Sequence, residues 1–208
     1  MKRIMLLAGA GLLFAVLGGC GWLYQIGQSQ SPQNGTDLTN ADLSLPSFEY
    51  TNQNGETVSR QDLEGEYVIA DMIFTNCPTV CTIMTPNMLN LQGQIEKAGL
   101  DNVRLVSFTV DPDRDDPGTL KEYGQNYGAD FSSWDFLTGY SLQEIKQLST
   151  TTFKSALNQD TGDQNIIHAT AFFLIDPEGN VIRKYDGLEN DTEPILNDLQ
   201  RLTAGQDS

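Results

Sequence analysis

Two cysteines and one histidine are the residues of this sequence whose types and spacing could do chemistry. Cys77 and Cys81 stand four residues apart in the string FTNCPTVC, and His168 is the only histidine among 208 residues. If the segment between the cysteines is helical, both sulfur atoms lie on one face and could close a disulfide or bind one metal ion. We expect a reactive pair, because an inert disulfide here would close a very small loop and add little stability.

The segments around the cysteines predict a strand followed by a helix. Residues 67–75 (YVIADMIFT) are rich in β-branched and aromatic residues and apolar at most positions, as in a buried central strand. A helix is predicted over 78–98, with a proline in its first turn and Gly99 at its end. Cys77 would then lie at a helix N-terminus, whose partial positive charge favours the thiolate. We expect Pro86 to bend or restart this helix.

The rest of the chain alternates between predicted strands and helices. The further predicted elements are a hairpin over 48–59, strands over 103–110, 134–137, 171–176 and 181–185, and helices over 119–127, 142–153 and 193–202. Residues 154–167 have little periodicity and are predicted to be a loop that leads to His168. This order predicts an α/β fold with a mixed central sheet flanked by helices and an N-terminal β-hairpin. It resembles the thioredoxin fold, where a redox motif sits between the first buried strand and its helix.

The lone histidine precedes a predicted strand. Taken alone, such a residue is more often hydrogen-bonded or exposed than functional. In a thioredoxin-like fold, however, the loop before this strand packs against the cysteine motif. Thioredoxins usually have a cis-proline there, and this chain has none. A neutral imidazole beside two thiolates would make a Cys₂His set, whose soft ligands suit Cu(I), with Cu(II) or Zn(II) also possible.

The composition excludes several classes of function. The chain has 12 Lys and Arg against 28 Asp and Glu, for a formal net charge of −16. A nucleic-acid partner is not expected, since phosphate binding needs clustered basic residues. The single histidine excludes metal sites with two or three histidines from one chain.

The N-terminus has the pattern of a targeting segment. Residues 1–19 begin with Lys2 and Arg3 and continue in an apolar run that is too short to span a bilayer. Residues 17–20 (LGGC) have the spacing of a bacterial lipobox and resemble lipoproteins, in which Cys20 becomes the lipid-modified N-terminus. The alternative is an uncleaved anchor, and both interpretations place the remaining chain outside the cytoplasm.

The proposed organisation follows from these features. We expect a signal peptide over 1–19 and a lipid-anchored flexible linker over 20–44, which is rich in polar residues. A thioredoxin-like copper-binding domain is expected over 45–203, and a short tail over 204–208.

Three stretches of sequence closely resemble the Sco/SenC family. They are the string FTNCPTVC, the acidic loop DPDRD over 111–115, and His168 with the later LIDPEGNVI. The resemblance covers roughly residues 45–203 and implies metal ligation by Cys77, Cys81 and His168. Thr82 stands where many members have a proline, which touches helix geometry but not the ligand set.

The resemblance also implies a function. Members are membrane-tethered, thioredoxin-fold copper proteins that assist maturation of the CuA centre of cytochrome c oxidase. We therefore expect a copper metallochaperone that acts on the CuA-bearing subunit and is lipid-anchored at the outer face of the bacterial cell membrane. A thiol–disulfide oxidoreductase, in which Cys77 attacks a disulfide and Cys81 resolves the intermediate, is the alternative. A redox sensor would use the same residues.

The acidic loop allows a second metal hypothesis. Asp111, Asp113, Asp115 and Glu122 match four positions of a calcium-binding EF-hand loop, but Asp116 stands where that loop needs glycine. The preceding element is also a predicted strand instead of a helix. A solvated loop that caps the following helix is the favoured interpretation.

Four further side chains lie near the cysteines in sequence. Met72, Met84 and Met88 could be soft auxiliary ligands but are interpreted as core residues. Asp71, in an otherwise apolar strand, is expected to be hydrogen-bonded internally, with a possible role in tuning the site.

Overall fold

The computed structural model describes residues 35–159 and 166–204. The strands in these ranges are β1 (Thr36–Asp37), β2 (Glu49–Thr51), β3 (Thr57–Ser59), β4 (Tyr67–Ile73), β5 (Val103–Thr109), β6 (Trp134–Leu137), β7 (Asn158–Gln159), β8 (Ile166–Ile167), β9 (Ala171–Ile175) and β10 (Val181–Asp186). The α-helices are α1 (Cys81–Ala98), α2 (Pro117–Tyr127), α3 (Leu142–Thr151) and α4 (Glu193–Ala204).

A mixed six-stranded sheet organises the domain. Its strand order is β1-β10-β9-β4-β5-β6. Strand β4 pairs in parallel with β5 and antiparallel with β9, while β5 pairs in parallel with β6. A separate hairpin of β2 and β3 lies between β1 and β4 in the chain. The predicted α/β fold, with its mixed sheet and N-terminal hairpin, is confirmed.

The central strand is buried along its whole length. All seven residues of β4 and all five of β9 are buried. This explains why 67–75 reads as a nearly continuous apolar run, since such a strand is covered on both faces. Asp71 is the charged exception within β4, and its carboxylate is hydrogen-bonded inside the protein.

The helix that follows the cysteines begins later than predicted. Helix α1 starts at Cys81, so Pro78 lies in the preceding turn and not in the first helical turn. Pro86 lies inside α1, and the helix runs past it without a restart, to Ala98. It ends as predicted at Gly99, whose left-handed conformation (φ 66°) lets its backbone N–H bond back to the last turn.

Two segments differ from their sequence-based expectations. Strand β1 lies inside the stretch expected to be a linker and pairs with β10, and the Leu38 backbone N–H donates to the Ile182 carbonyl oxygen (2.9 Å). The expected loop over 154–167 contains the short paired strands β7 and β8. The predicted signal peptide over 1–19, Cys20 and the tail residues 205–208 lie outside the described residues.

The topology brings three chain segments to one edge of the sheet. Because β4 and β5 are parallel, both end at the same edge. Because β9 is antiparallel to β4, it begins at that edge. Cys77 follows β4, the acidic loop follows β5, and His168 precedes β9. No helix in the described part of the chain is long and apolar enough to cross a membrane.

Candidate metal centre

The cysteine pair lies where strand β4 gives way to helix α1. Cys77 is in the turn between them, and its backbone N–H donates to the Phe74 carbonyl oxygen (3.2 Å). The backbone N–H of Cys81, at the start of the helix, donates to Cys77 Sγ over 3.4 Å. A free N–H at a helix N-terminus carries partial positive charge and stabilises a thiolate. Cys77 therefore receives the predicted electrostatic stabilisation, although it lies outside the helix.

His168 reaches the pair from the segment between β8 and β9. Its Nε2 lies 3.8 Å from Cys81 Sγ, and its Nδ1 lies 2.9 Å from the Ala169 carbonyl oxygen. A carbonyl oxygen only accepts, so Nδ1 carries a proton and donates. Nε2 then faces the cysteines, as a lone-pair ligand when the ring is neutral and as a hydrogen-bond donor to a thiolate when the ring is protonated. The ring also makes an edge-on contact with Phe74, with the centroids 5.8 Å apart.

The two sulfurs and the imidazole form one cluster. The ligand atoms of Cys77, Cys81 and His168 all lie within 4.8 Å of one another, and both cysteines are free thiols. Across residues 35–159 and 166–204, this is the one group of three or more His, Cys, Asp or Glu side chains placed to share a metal ion. Two sulfurs and one nitrogen make a soft donor set.

Access to the cluster is uneven. Cys77 and His168 each keep 8% of their surface exposed, whereas Cys81 keeps 1%. A molecule arriving from solvent therefore meets Cys77 and His168 first.

The two thiols differ in acidity because their surroundings differ. Burial raises the pKa of Cys77, but hydrogen bonds from His168 and from Cys81 outweigh burial and lower this pKa to about 6. Burial raises the pKa of Cys81 well above its ordinary value, and the neighbouring Cys77 raises it further. At neutral pH the pair thus offers one thiolate nucleophile and one protonated thiol.

Asp71 belongs to a buried polar network beneath the site. Its Oδ1 accepts a hydrogen bond from the Ser107 hydroxyl (2.6 Å), which in turn accepts from Trp134 Nε1 (3.0 Å). This confirms the expected internal hydrogen bond. Burial raises the pKa of Asp71 to about 7, although the Ser107 hydrogen bond and the charge of His168 act in the opposite direction. A tuning effect of Asp71 on the site stays a prediction.

The acidic loop after β5 is engaged in protein contacts. Asp111 is buried and forms an ion pair with Arg114 (2.6 Å), so the expectation of a solvated loop is wrong for this residue. Asp116 caps α2 as predicted, because its carboxylate accepts from the Thr119 backbone N–H (2.8 Å). Asp113 and Glu122 are exposed, and the described residues bring no calcium-like group together in this loop.

Asp115 is a positioning residue that the sequence reasoning missed. It is buried, and its carboxylate accepts from the Thr75 backbone N–H (3.1 Å), the Thr75 hydroxyl (2.5 Å) and the Thr109 hydroxyl (2.5 Å). Thr75 lies two residues before Cys77, so Asp115 ties the cysteine turn to the end of β5. The parallel pairing of β4 and β5 was the available signal, since loops that follow parallel neighbours meet at one edge.

The methionines near the site are core residues, as interpreted from the sequence. Met72, Met84 and Met88 are all fully buried.

The fold and the cluster together define a thioredoxin-like protein with a buried Cys–Cys–His group. The SCO1/SenC family model matches residues 36–204. The chain therefore belongs to the SCO1/SenC family.

A relative from Bacillus subtilis supports this assignment over nearly the whole chain. A SCO1 protein homolog from Bacillus subtilis (strain 168) is 38% identical over 196 residues, which span 94% of this chain and 95% of the relative.

Solved structures show the same fold. A SCO1/SenC family lipoprotein from Bacillus anthracis is 44% identical with a TM-score of 0.74, over 78% of this chain and 96% of the other. BsSco, described as a member of the Sco family of cytochrome c oxidase assembly proteins with a disulfide switch, is 38% identical with a TM-score of 0.70, over 81% and 95%. ScoI of Bradyrhizobium japonicum with copper bound is 25% identical with a TM-score of 0.59, over 76% and 98%.

The difference in acidity predicts selective alkylation of Cys77. In the reduced, metal-free protein, the rate with iodoacetamide should rise as the pH increases through about 6, where Cys77 becomes a thiolate, while Cys81 stays unreactive. His168→Ala removes a hydrogen bond that lowers this pKa, so the midpoint should move to higher pH. Tandem mass spectrometry assigns the modified sulfur. Preferential reaction at Cys81, or a midpoint that His168→Ala leaves in place, would contradict the assignment.

The Asp115 contacts predict a stability effect with a matched control. Asp115→Asn replaces an acceptor oxygen by a donor and leaves a buried donor unpaired, so the free energy of unfolding should fall by about 1–3 kcal/mol. Urea denaturation measures this loss, and amide hydrogen exchange at Thr75 should accelerate. Asp116→Asn is the control, because Asp116 is exposed and asparagine caps a helix equally well. Equal losses in the two variants would refute the special role of Asp115.

Proposed function

We propose that this protein is a copper metallochaperone that assists assembly of the CuA centre of cytochrome c oxidase. The observation that carries the proposal is the cluster of two sulfurs and one imidazole nitrogen within 4.8 Å. Cys77, Cys81 and His168 would bind copper as Cu(I) or Cu(II), for which thiolate and imidazole are suitable ligands. The copper-bound ScoI of Bradyrhizobium japonicum and the description of BsSco as belonging to oxidase assembly proteins support this reading.

The burial of the ligands supports an order of release. Cys77 and His168 are the more exposed of the three, and Cys81 is the least. A thiolate of the CuA-bearing subunit would displace Cys77 or His168 first and Cys81 last. Copper would thus keep a protein ligand throughout the exchange.

A lipid tether would bring this domain to its membrane partner. We propose that residues 1–19 are a lipoprotein signal peptide and that Cys20 carries the lipid at the outer face of the bacterial cell membrane. The Bacillus anthracis relative is described as a SCO1/SenC family lipoprotein, which supports this. The net charge of −16 disfavours direct binding to anionic lipid, so attachment would depend on the tether.

Copper titration of the reduced protein tests the ligand set. Cys77→Ser, Cys81→Ser and His168→Ala should each weaken copper binding by more than about 100-fold, because loss of a partner that merely supports a ligand already costs about 10–100-fold. Competition with a chromophoric chelator measures the affinity, and thiolate-to-copper charge-transfer absorption reports the sulfur ligands.

Two matched variants control this titration. Thr82→Ala changes an exposed neighbour of Cys81, and Met84→Leu conserves volume while removing a buried sulfur. Both should bind copper like the unchanged protein. Unaltered affinity in His168→Ala would overturn the three-ligand assignment.

The asymmetric acidity of the thiols favours a second candidate function, thiol–disulfide oxidoreduction. The Cys77 thiolate would attack one sulfur of a target disulfide and release the other as a thiolate. Cys81 would then lose its proton, attack Cys77 Sγ and release the first target sulfur. The pair ends as a disulfide, and two electrons pass to the target. The disulfide switch described for BsSco supports a redox-active pair, which a redox sensor could also use.

His168→Ala separates the two functions, since it keeps both thiols and removes the nitrogen ligand. In cells that depend on this protein, the metallochaperone proposal expects this variant to lose the CuA absorption of the oxidase, as Cys77→Ser does. Purified His168→Ala should still reduce an oxidised CuA domain. Normal CuA assembly with His168→Ala, together with its loss in Cys77→Ser, would instead favour the oxidoreductase.

A further inference from the structure

Three large apolar side chains are exposed in the described part of the chain. They are Ile167, which is 65% exposed, Ile83 at 46% and Leu188 at 38%. Such side chains gain free energy when they are covered. Exposed apolar groups that cluster mark interaction sites, whereas scattered ones need no explanation.

Two of the three lie on segments that meet at the metal centre. Ile83 is two residues after Cys81 on helix α1, and Ile167 comes directly before His168. The contact between Cys81 Sγ and His168 Nε2 (3.8 Å) joins these segments.

The third apolar side chain belongs to a turn that is bonded to both segments. Leu188 follows strand β10, between Gly187 and Glu189. The Gly187 backbone N–H donates to the carbonyl oxygen of Thr170, two residues after His168 (3.0 Å). Asn87, one helical turn after Ile83, donates through Nδ2 to the carbonyl oxygens of Gly187 (2.9 Å) and Glu189 (3.0 Å).

The three segments are thus joined in pairs, and each carries one exposed apolar side chain. Two of these segments carry the cluster ligands Cys81 and His168, and the third is hydrogen-bonded to both of them. We define Ile83, Ile167 and Leu188 as the apolar rim.

Two of the three rim segments, those of Ile83 and Leu188, contain no basic residue. Residues 72–95, which contain the cysteines and Ile83, include no charged residue of either sign. Residues 185–200 include no Lys or Arg. The exposed acids of this last stretch lie on both sides of Leu188, namely Asp186, Glu189, Asp191 and Glu193.

We infer that the apolar rim is the docking surface for a partner protein whose own contact surface is apolar and is flanked by Lys or Arg. The inference rests on the proposed function, because the partner is the protein that receives copper, the CuA-bearing subunit. Acidic residues beside the rim complement a basic flank. A second copy of this chain would place like charges together, at a net charge of −16 on each copy. Three side chains make a small contact, as suits a transient complex.

The rim is tested by the affinity for a defined probe, the purified soluble CuA domain in its reduced, metal-free form. The full chain is held in nanodiscs of neutral lipid. Ile83→Ser, Ile167→Ser and Leu188→Ser should each raise the Kd at least about fivefold. Their copper affinity should stay unchanged, because none of the three is a ligand. Ala98→Ser is the control, because Ala98 is an exposed apolar residue at the opposite end of helix α1 from the cysteines, and it should leave the Kd unchanged.

We call Asp186, Glu189, Asp191 and Glu193 the acidic flank, and a second experiment tests its contribution to binding. The Kd of the unchanged protein should rise with salt between about 50 and 300 mM. The double variant Glu189→Gln/Asp191→Asn should bind more weakly at low salt and show a smaller salt dependence. The control variant Glu96→Gln/Asp101→Asn removes two exposed acids at and just after the C-terminal end of helix α1, far from the cysteines. It should retain the original salt dependence.

The outcomes distinguish the docking surface from the proposed function. If the unchanged protein binds the CuA domain and all three rim variants bind equally well, the rim is overturned while the proposed function stands. If the unchanged protein binds copper but not the CuA domain, the CuA-bearing subunit is not its partner, and both the docking surface and the proposed function are overturned. Self-association that the serine variants abolish would make a second copy the occupant and would also overturn the inference.

Discussion

The pairing of β4 with two neighbours of opposite direction is the constraint on which the site depends. Its parallel partner β5 ends where β4 ends, and its antiparallel partner β9 begins there. Three segments far apart in sequence therefore meet at one sheet edge, supplying Cys77, Asp115 and His168. Because β4 and β9 are buried along their whole length, the core fixes this edge, and the contacts of Asp115 with Thr75 add to it.

Local electrostatics then make the two cysteines unlike. A helix N–H and the imidazole stabilise the thiolate of Cys77, whereas Cys81 is buried beside it and holds its proton more firmly. The same asymmetry serves either chemistry, since a metal needs a ready thiolate and disulfide exchange needs one nucleophile. Asp115 contributes indirectly, by holding the backbone that carries Cys77.

In the proposed function, a nearly closed site beside an apolar rim would allow the protein both to retain copper and to transfer it. Burial shields the thiols from water, while the slightly exposed Cys77 and His168 leave a direction of approach. A partner that covers the rim would bring its own ligands to that opening. The acidic flank would orient the partner before contact, because charges act over about 10 Å in solution.

The spacing of the cysteines, the buried strand before them and the order of elements could be predicted from the sequence, because hydrophobic periodicity and helix-end signals are local. The expected α/β fold and the approach of His168 to the cysteines accordingly agree with the structure. Only the tertiary structure decided three other features. They are the start of α1 at Cys81, the hydrogen bonds from Thr75 to Asp115 and the pairing of β1 with β10. The Asp115 contacts and the β1 pairing depend on which strands become neighbours. Strand pairing depends in turn on packing across the whole sheet, and no single segment of sequence encodes that packing.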